Sequence, residues 1–462
     1  MAPGSDSAAI ACCSKENVLK LMKLFLLLFL SVTLSLTVYP QKPDDVLATA
    51  TNLTFTSASL STDGQKFFNN QKNAVANARL DIFSQMVADA LLEAEAKSKN
   101  ISVEALIDME MKKIPAPSAP EIKTVYDANR AALGAKTLDA AKPEIIEYLR
   151  RQAEQKLLQS LVDGLKARDK LILGKDVNAA DLKPTESLAS INGKSISAQE
   201  FEEKNKIELY EIRARIADEM MDELENSIFI KLVDEEAKSR NIGVGELYAA
   251  EITNKMRDYS DEEKAALQIA LKKMLFAKFN VKILLKEIEP FVQNISADDD
   301  PFQGKAAAQV TVVMFTDFQC PACAATHPVL KRIIGEYGDK VRFVVRDFPL
   351  TSIHENAFAA AVAANAANAQ GKFFEYTDVL YQNQTALDTA SLKKYAAGLG
   401  LNVKQFEIDL SSEKAAAEVR KDMADGKLYG IGGTPAIFVN GVKVRRLSAE
   451  AFRGAVDKAL KK

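Results

Sequence analysis

A chain of 462 residues exceeds one ordinary core, and at roughly 100–200 residues per domain it calls for two to four. Its 60 Lys and Arg nearly balance 63 Asp and Glu, for a formal charge of -3, so no global field recruits nucleic acid; 47% hydrophobic with 27% charged residues excludes a disordered chain. With two histidines in all, His327 and His354, the sequence excludes His-rich metal sites and most Cys/His zinc arrangements.

The N-terminus has the order of an export segment. Lys15, Lys20 and Lys23 precede the apolar run Leu24 to Val38, and Asp44 and Asp45 follow it. The run is short for a spanning helix, which needs about 20 apolar residues, and no A-x-A site ends it, so residues 1–40 are expected to be a signal peptide or an uncleaved anchor. Met22 is an alternative start. Cys12 and Cys13 precede the run and read as an incidental pair. Positive charge before and negative charge after it predict that the remainder is exported, to the periplasm or another extracytoplasmic space.

From Leu47 to Asp299 the pattern is helical. Phe83, Met86, Val87, Ala90, Leu91 and Ala94 make one apolar stripe; Ile216, Met220, Leu224, Ile228 and Leu232 make another. These stripes belong to a repeat. Glu95-Ala96-Lys97-Ser98-Lys99-Asn100-Ile101 returns 141 residues later as Glu236-Ala237-Lys238-Ser239-Arg240-Asn241-Ile242, and Leu47-Ala48-Thr49 is echoed by Leu188-Ala189-Ser190. We expect two related helical domains, 45–183 and 184–297.

The first copy carries the stiff segment Pro115 to Pro120, then Glu121-Ile122 with Tyr126 and Asn129, and a long helix from Pro143 to Ala167. The second opens on Ile191, a tight Asn192-Gly193 hairpin turn, and Glu200-Phe201. Together these resemble the N-terminal chaperone region of SurA-like exported proteins, without a parvulin isomerase domain. That resemblance implies a surface for unfolded clients; a helical spacer or dimerisation arm is the other reading.

Asn294 to Gly304 is polar and turn-rich, so 298–308 is expected to be a linker. Beyond it, the β-rich run Val310 to Phe315 delivers the chain into Asp317-Phe318-Gln319-Cys320-Pro321-Ala322-Cys323 and a helix to about Tyr337. A cysteine at a helix N-terminus is stabilised as thiolate by unpaired N–H groups and the helix dipole. Pro321 fits the first turn, where its missing donor has no intrahelical partner. Cys323 lies one turn on, close enough for a Cys320–Cys323 disulfide. Cys320 is the expected nucleophile and Cys323 the resolving thiol. A lone CxxC also fits half a zinc site. Here Gly432-Gly433-Thr434-Pro435, the strand Ala436 to Val439, the turn Asn440-Gly441, the edge strand Val442 to Arg445 and a helix Ala449 to Leu460 favour a thioredoxin-like fold, with Thr434 and Pro435 in a cis-proline loop that meets substrate.

The segments Phe315 to Cys323, Arg346-Asp347-Phe348-Pro349-Leu350, Gln370 to Glu375, and Thr434-Pro435 with Phe438 to Gly441 resemble the DsbA-like family of exported thiol-disulfide oxidoreductases across 309–462. The family interrupts the fold with a helical insert, which Asn356 to Leu399 fits. Ala322 stands where the strongly oxidising site has a histidine, and Thr434 is usual among isomerase and reductase relatives, so direction stays open. Asp317 is read either as a proton relay or as a turn carboxylate. His327 is read as a packing or surface residue. His354, within Ser352-x-x-Glu355, is read as part of a capping box for the insert.

The expected architecture is a mostly α N-terminal region of two related repeats plus an α/β thioredoxin-like domain with a helical insertion. The expected activity is disulfide formation, reduction or isomerisation in exported cysteine-containing proteins, without cofactor, metal or nucleic acid, and with a membrane oxidase or reductase as redox partner. A holdase or assembly scaffold with a secondary redox domain is the alternative.

Overall fold

The computed structural model describes residues 45–297 and 299–461. The expected export segment, with Cys12, Cys13 and Met22, lies outside them. Among the described residues no helix is long and apolar enough to cross a membrane. The chain divides into two compact units: the described residues up to Asn100 with Val162–Glu289, and Ile101–Leu161 with Pro290–Lys462.

In the first unit, β1 (Ala48–Ala50) and β2 (Leu53–Phe55) form an antiparallel ladder that leads into α1 (Thr62–Ser98), where Ser61 Oγ accepts the Gly64 N–H at 3.0 Å. Residues of the second unit follow in the chain, with α2 (Val103–Met111), α3 (Ala119–Ala128) and α4 (Leu138–Arg168), whose last residues from Val162 belong again to the first. It returns through β3 (Ile172–Leu173), β4 (Ser187–Ile191) and β5 (Lys194–Ser197). Asn192 and Gly193, both at positive φ, make the expected tight turn between β4 and β5. There follow α5 (Ala198–Lys204), α6 (Lys206–Arg240), α7 (Val244–Glu251), α8 (Asp261–Lys278) and β6 (Lys282–Ile283).

The two sequence copies interleave. β1 of the first pairs with β6 of the second, Ala48 against Ile283, and β3 of the first pairs with β4 of the second, Ile172 against Ser190. The expected boundary at 183/184 therefore falls inside a compact unit. One core runs from Leu47, Phe55 and Phe68 through Met220, Leu224, Ile228 and Leu232 to Leu271 and Leu275. The repeated glutamates are buried in both copies: Glu95 pairs with Lys99 and Arg168, and Glu236 with Arg240 and Lys278. Each is thus held by a cation one turn on and another from the end of a later helix. Because Leu224 is fully buried in this core, Leu224→Ala is expected to cost about 2–5 kcal/mol, read from the urea midpoint of the full chain.

Within Ile101–Leu161, Ile107, Met111 and Leu158 cluster, as do Ile122, Tyr126, Leu133, Ala141 and Ile145. Ser118 and Glu121 form a capping box at the head of α3. The long helix expected from Pro143 begins five residues earlier, at Leu138, with Pro143 inside it.

The C-terminal region carries a five-stranded sheet. β7 (Phe302–Gln303), β8 (Val310–Thr316), β9 (Val341–Asp347), β10 (Ala436–Val439) and β11 (Val442–Val444) stand in the order β11-β10-β8-β9-β7. β8 and β9 are parallel; the other pairs are antiparallel. The segment expected as a linker thus supplies the edge strand β7, Phe302 pairing with Val344. Asn440 and Gly441 at positive φ close the β10–β11 turn. A Cβ on Gly441 would meet the Gln293 carbonyl at 2.0 Å, so glycine is required there twice over.

Alternation along β8 and β9 sorts the two faces. Val310, Val312 and Met314 with Val341, Phe343 and Val345 join the main core, whereas Val313, Phe315 and Val344 join Phe348, Ile431 and Phe438. After β8 comes α9 (Pro321–Tyr337). The insert is longer than Asn356 to Leu399 and holds α10 (Ala357–Asn368), α11 (Phe373–Gln382), α12 (Thr389–Gly398), α13 (Val403–Leu410) and α14 (Glu413–Leu428). α15 (Ala449–Leu460) ends the fold. The molecule is a mostly helical protein with a C-terminal thioredoxin-like α/β domain.

Candidate active site around Cys320 and Cys323

β8 ends at Thr316, and the turn that follows sets Cys320 as N-cap of α9, with Pro321 at the first position. Asp317 organises this turn. Its carbonyl accepts the Cys320 N–H at 3.1 Å, Oδ1 accepts the Gln319 N–H at 2.7 Å, and Oδ2 accepts the Leu350 N–H at 2.8 Å. His354 Nδ1 lies 2.7 Å from the same Oδ2. Two contacts tie the loop to the insert: Gln384 Nε2 donates to the carbonyls of Phe318 and Cys320, and the loop's Gln319 Oε1 accepts the Asn356 N–H.

Both cysteines are free thiols here, Cys320 7% exposed and Cys323 fully buried. Their acidities diverge. The Cys323 side chain and N–H, with the Thr434 hydroxyl and the Ala322 N–H, bring the Cys320 thiol down to about 5 against the cost of burial. Burial and the neighbouring Cys320 push Cys323 up. The peptide bond Thr434–Pro435 is cis, and the Cys320 thiol faces the Thr434 carbonyl at 3.5 Å. Thr434 Oγ1 is buried and has no hydrogen-bond partner among the described residues, so its hydroxyl is available to donate to the Cys320 thiolate. The structure thus brings together Cys320, Cys323, Thr434 and Pro435. Asp317, 1% exposed, turns its carboxylate to the loop backbone and His354.

One histidine departs from its sequence reading and the other keeps it. No Ser352 capping box starts the insert: α10 begins at Ala357 with Asn356 as N-cap, and His354 turns to Asp317. His327 is a packing residue, buried with its ring 4.8 Å from that of Tyr381. Burial lowers its pKa and keeps it neutral near pH 7, although Asp378 stands 3.3 Å away.

Sequence reasoning passed over Gln384, Tyr381, Thr316 and Asp347. Tyr381 OH and Thr316 Oγ1 are 2.6 Å apart, and the Thr316 hydroxyl also reaches Cys323. A strand-end threonine before a CxxC was the one signal available. Among the described residues, Asp300, Glu418 and Asp422 are the acidic group close enough together to hold a cation. Arg346 already pairs with Asp300 and Asp422 there, so the group needs no metal to balance it.

Residues 296–458 match the family described as thioredoxin, in agreement with the sheet order and the strand–CxxC–helix junction. The C-terminal region is accordingly a thioredoxin-like domain. Among curated proteins, the Na(+)/H(+) antiporter NhaA 3 of Salinispora tropica is 38% identical over 147 residues, 32% of this chain and 22% of that one. The Na(+)/H(+) antiporter NhaA 1 of Salinispora arenicola is 36% identical over 166 residues, 36% of this chain and 25% of that one. The chain therefore spans about a quarter of the length of these relatives. Among solved structures, a thioredoxin-like oxidoreductase from Silicibacter pomeroyi is 28% identical, covers 35% of this chain and 93% of its own, and superposes with a TM-score of 0.33. Oxidised BdbD from Bacillus subtilis is 22% identical and covers 38% and 100%, with a TM-score of 0.35.

Proposed function

We propose that this chain exchanges disulfides with cysteine-containing exported proteins, Cys320 attacking and Cys323 resolving. The observation that carries the reading is the split between the two thiols: a low-pKa Cys320 at a helix N-terminus against a buried, high-pKa Cys323 one turn on. In disulfide donation, a client thiolate attacks Cys320 of the Cys320–Cys323 disulfide and Cys323 leaves. A second client thiol then displaces Cys320, which departs well because its thiolate is stabilised. The carbonyl of Thr434 beside Cys320 gives an extended client backbone a partner.

The place of work rests on the basic, apolar and acidic order of residues 15–45, and client holding rests on the SurA-like pattern of the repeated helices. A membrane oxidase or reductase would reset the pair. The antiporter names belong to much longer proteins; the thiol site supports exchange in this one.

The test is oxidation of a reduced dithiol peptide by the oxidised chain, followed by fluorescence. Wild type is expected to outpace glutathione disulfide, Cys320→Ser to fall to the uncatalysed rate, and reduced Cys323→Ser, given the peptide in its disulfide form, to accumulate a mixed disulfide at Cys320. A wild-type rate no better than glutathione disulfide overturns the reading. Suppression of client aggregation that survives Cys320→Ser while wild type shows no exchange would favour the holdase.

A further inference from the structure

Pro321 leaves the site short of one hydrogen bond. The peptide between Cys320 and Pro321 has no N–H, so hydrogen bonds can fix how that plane is turned only through its carbonyl. The turn matters. The ψ of Cys320, 121°, sets where the N–H groups of Ala322 and Cys323 lie relative to the Cys320 sulfur on which they act.

The helix supplies one donor to that carbonyl, the Ala324 N–H at 3.1 Å. The insert supplies the other: Gln384 Nε2 donates to the Cys320 carbonyl at 2.9 Å and to the Phe318 carbonyl at 3.0 Å. Both N–H groups of the amide are thereby used, and its oxygen, an acceptor only, could not take the same place against two carbonyls. The Phe318–Gln319 peptide is held at its other end too, where the Gln319 N–H donates to Asp317 Oδ1 at 2.7 Å. Phe318 is 1% exposed, so its carbonyl needs a donor, and a single bond would satisfy it. The second bond goes to a carbonyl that already has its helical donor, so satisfying a buried acceptor does not account for it. We propose that Gln384 is the positioning residue of this site: reaching in from the helical insert, it fixes a peptide plane on each side of Cys320 and so keeps the N–H groups of Ala322 and Cys323 aimed at the nucleophilic sulfur.

The mount of Gln384 suits that task. It lies between α11 and α12, in a loop pinned on both sides: the Asn383 N–H donates to the Leu380 carbonyl at 3.1 Å and Asn383 Nδ2 to the Val379 carbonyl at 2.8 Å, while the Ala386 carbonyl accepts Tyr395 OH from α12 at 2.9 Å. Leu387, 1% exposed, anchors the far end. Phe318 packs against the same insert, its ring 6.5 Å from that of Phe373 and 5.3 Å from that of Tyr381. The groups that act on the Cys320 sulfur are the Cys323 thiol and N–H, the Thr434 hydroxyl and the Ala322 N–H, and Gln384 governs the two that belong to the backbone of α9. A displaced plane takes both of these donors off the sulfur together, and the thiol moves back toward an ordinary one.

The inference deepens the exchange reading and rests on it, and titrating the thiol keeps their failures apart. Reduced full chain is alkylated with iodoacetamide between pH 4 and 9, the Cys320 adduct is followed by mass, and the thermal midpoint of each variant is recorded. Gln384→Leu, which keeps most of the bulk and removes the donors, should raise the pH midpoint by about one unit or more over wild type. Gln384→Ala should do the same, and it decides the matter if Gln384→Leu fails to fold. Leu392→Ala controls for a loosened insert: Leu392 is fully buried in α12, outside the CxxC loop, so this change should lower the thermal midpoint and keep the pH midpoint of wild type. A folded Gln384 variant with the wild-type pH midpoint overturns the inference, whatever its thermal midpoint; so does a rise in Leu392→Ala equal to that in Gln384→Leu. A wild-type midpoint near 8, seen before any variant is compared, overturns the exchange reading and the inference together.

Discussion

Iodoacetamide is expected to alkylate Cys320 of the reduced chain with a pH midpoint near 5, and to leave Cys323 untouched until the protein is unfolded. An ordinary thiol of pKa about 8.5 is roughly 0.3% ionised at pH 6; Cys320 would be about 90% ionised, a gain of roughly 300-fold in thiolate. Nucleophilicity falls with basicity at a Brønsted slope of about 0.4–0.5, which removes some 40-fold, so the net acceleration at pH 6 is only about 7-fold. The midpoint, not the absolute rate, is therefore the measurement that decides. A midpoint near 8 would show that the helix N-terminus and the Cys323 contacts do not hold a thiolate.

The same shift acts on stability and on redox direction. A group whose folded pKa is depressed stabilises the fold above its unfolded pKa and loses that contribution as pH falls through the folded value. Reduced protein should thus gain stability, relative to Cys320→Ala, as pH rises from about 5 to about 8.5. At pH 7 the expected gain is about 3 kcal/mol and belongs to the reduced form alone, which would make the pair on the order of 60 mV more oxidising than one with unshifted thiols. The loss of a cationic neighbour at Ala322 is thereby offset by hydrogen bonds from Cys323, Thr434 and Ala322's own N–H.

What the sequence made legible was the chemistry carried by neighbours along the chain. The strand–CxxC–helix junction, the Asn192-Gly193 and Asn440-Gly441 turns and the helix Ala449–Leu460 each depend on a local pattern with a local cause: a thiolate at a helix N-terminus, positive φ at two successive residues, an amphipathic stripe. The interleaving of the repeats was hidden because β3 and β6 are two residues long, too short for alternation to register, and because their partners lie far along the chain. β7 was hidden the same way inside a polar stretch. The supports of the site were illegible for another reason. Gln384, Tyr381 and Asn356 come from the insert, and only its docking aims them at the CxxC loop. His354 looked like a capping-box member because Ser352 and Glu355 have the right spacing; the buried Asp317 won it because a carboxylate 1% exposed has more to gain from an N–H partner than an exposed helix end does.

Arg346→Met is expected to destabilise the thioredoxin-like domain strongly. Arg346 is fully buried; Nε stands 2.9 Å from Asp300 and 2.8 Å from Asp422, Nη2 2.7 Å from Asp425, and the guanidinium lies 5.1 Å from the Phe315 ring. Methionine keeps most of the apolar packing but removes the charge that compensates Asp300 and Asp422, both side chains 2% exposed. Leaving one partner of a buried pair uncompensated costs about 3–5 kcal/mol, which for a domain of this size lowers Tm by roughly 6–20 °C. The pH dependence gives the cause. Carboxylates stranded in the interior have folded pKa values raised above the unfolded ones, so the fold is favoured where they are protonated and loses that contribution as pH rises through the folded values. The deficit of Arg346→Met relative to wild type should therefore shrink between pH 8 and pH 5. Thermal melts of the two full chains across that range check it, and a deficit that stays constant would mean that Arg346 acts through packing against Phe315 and not through its charge.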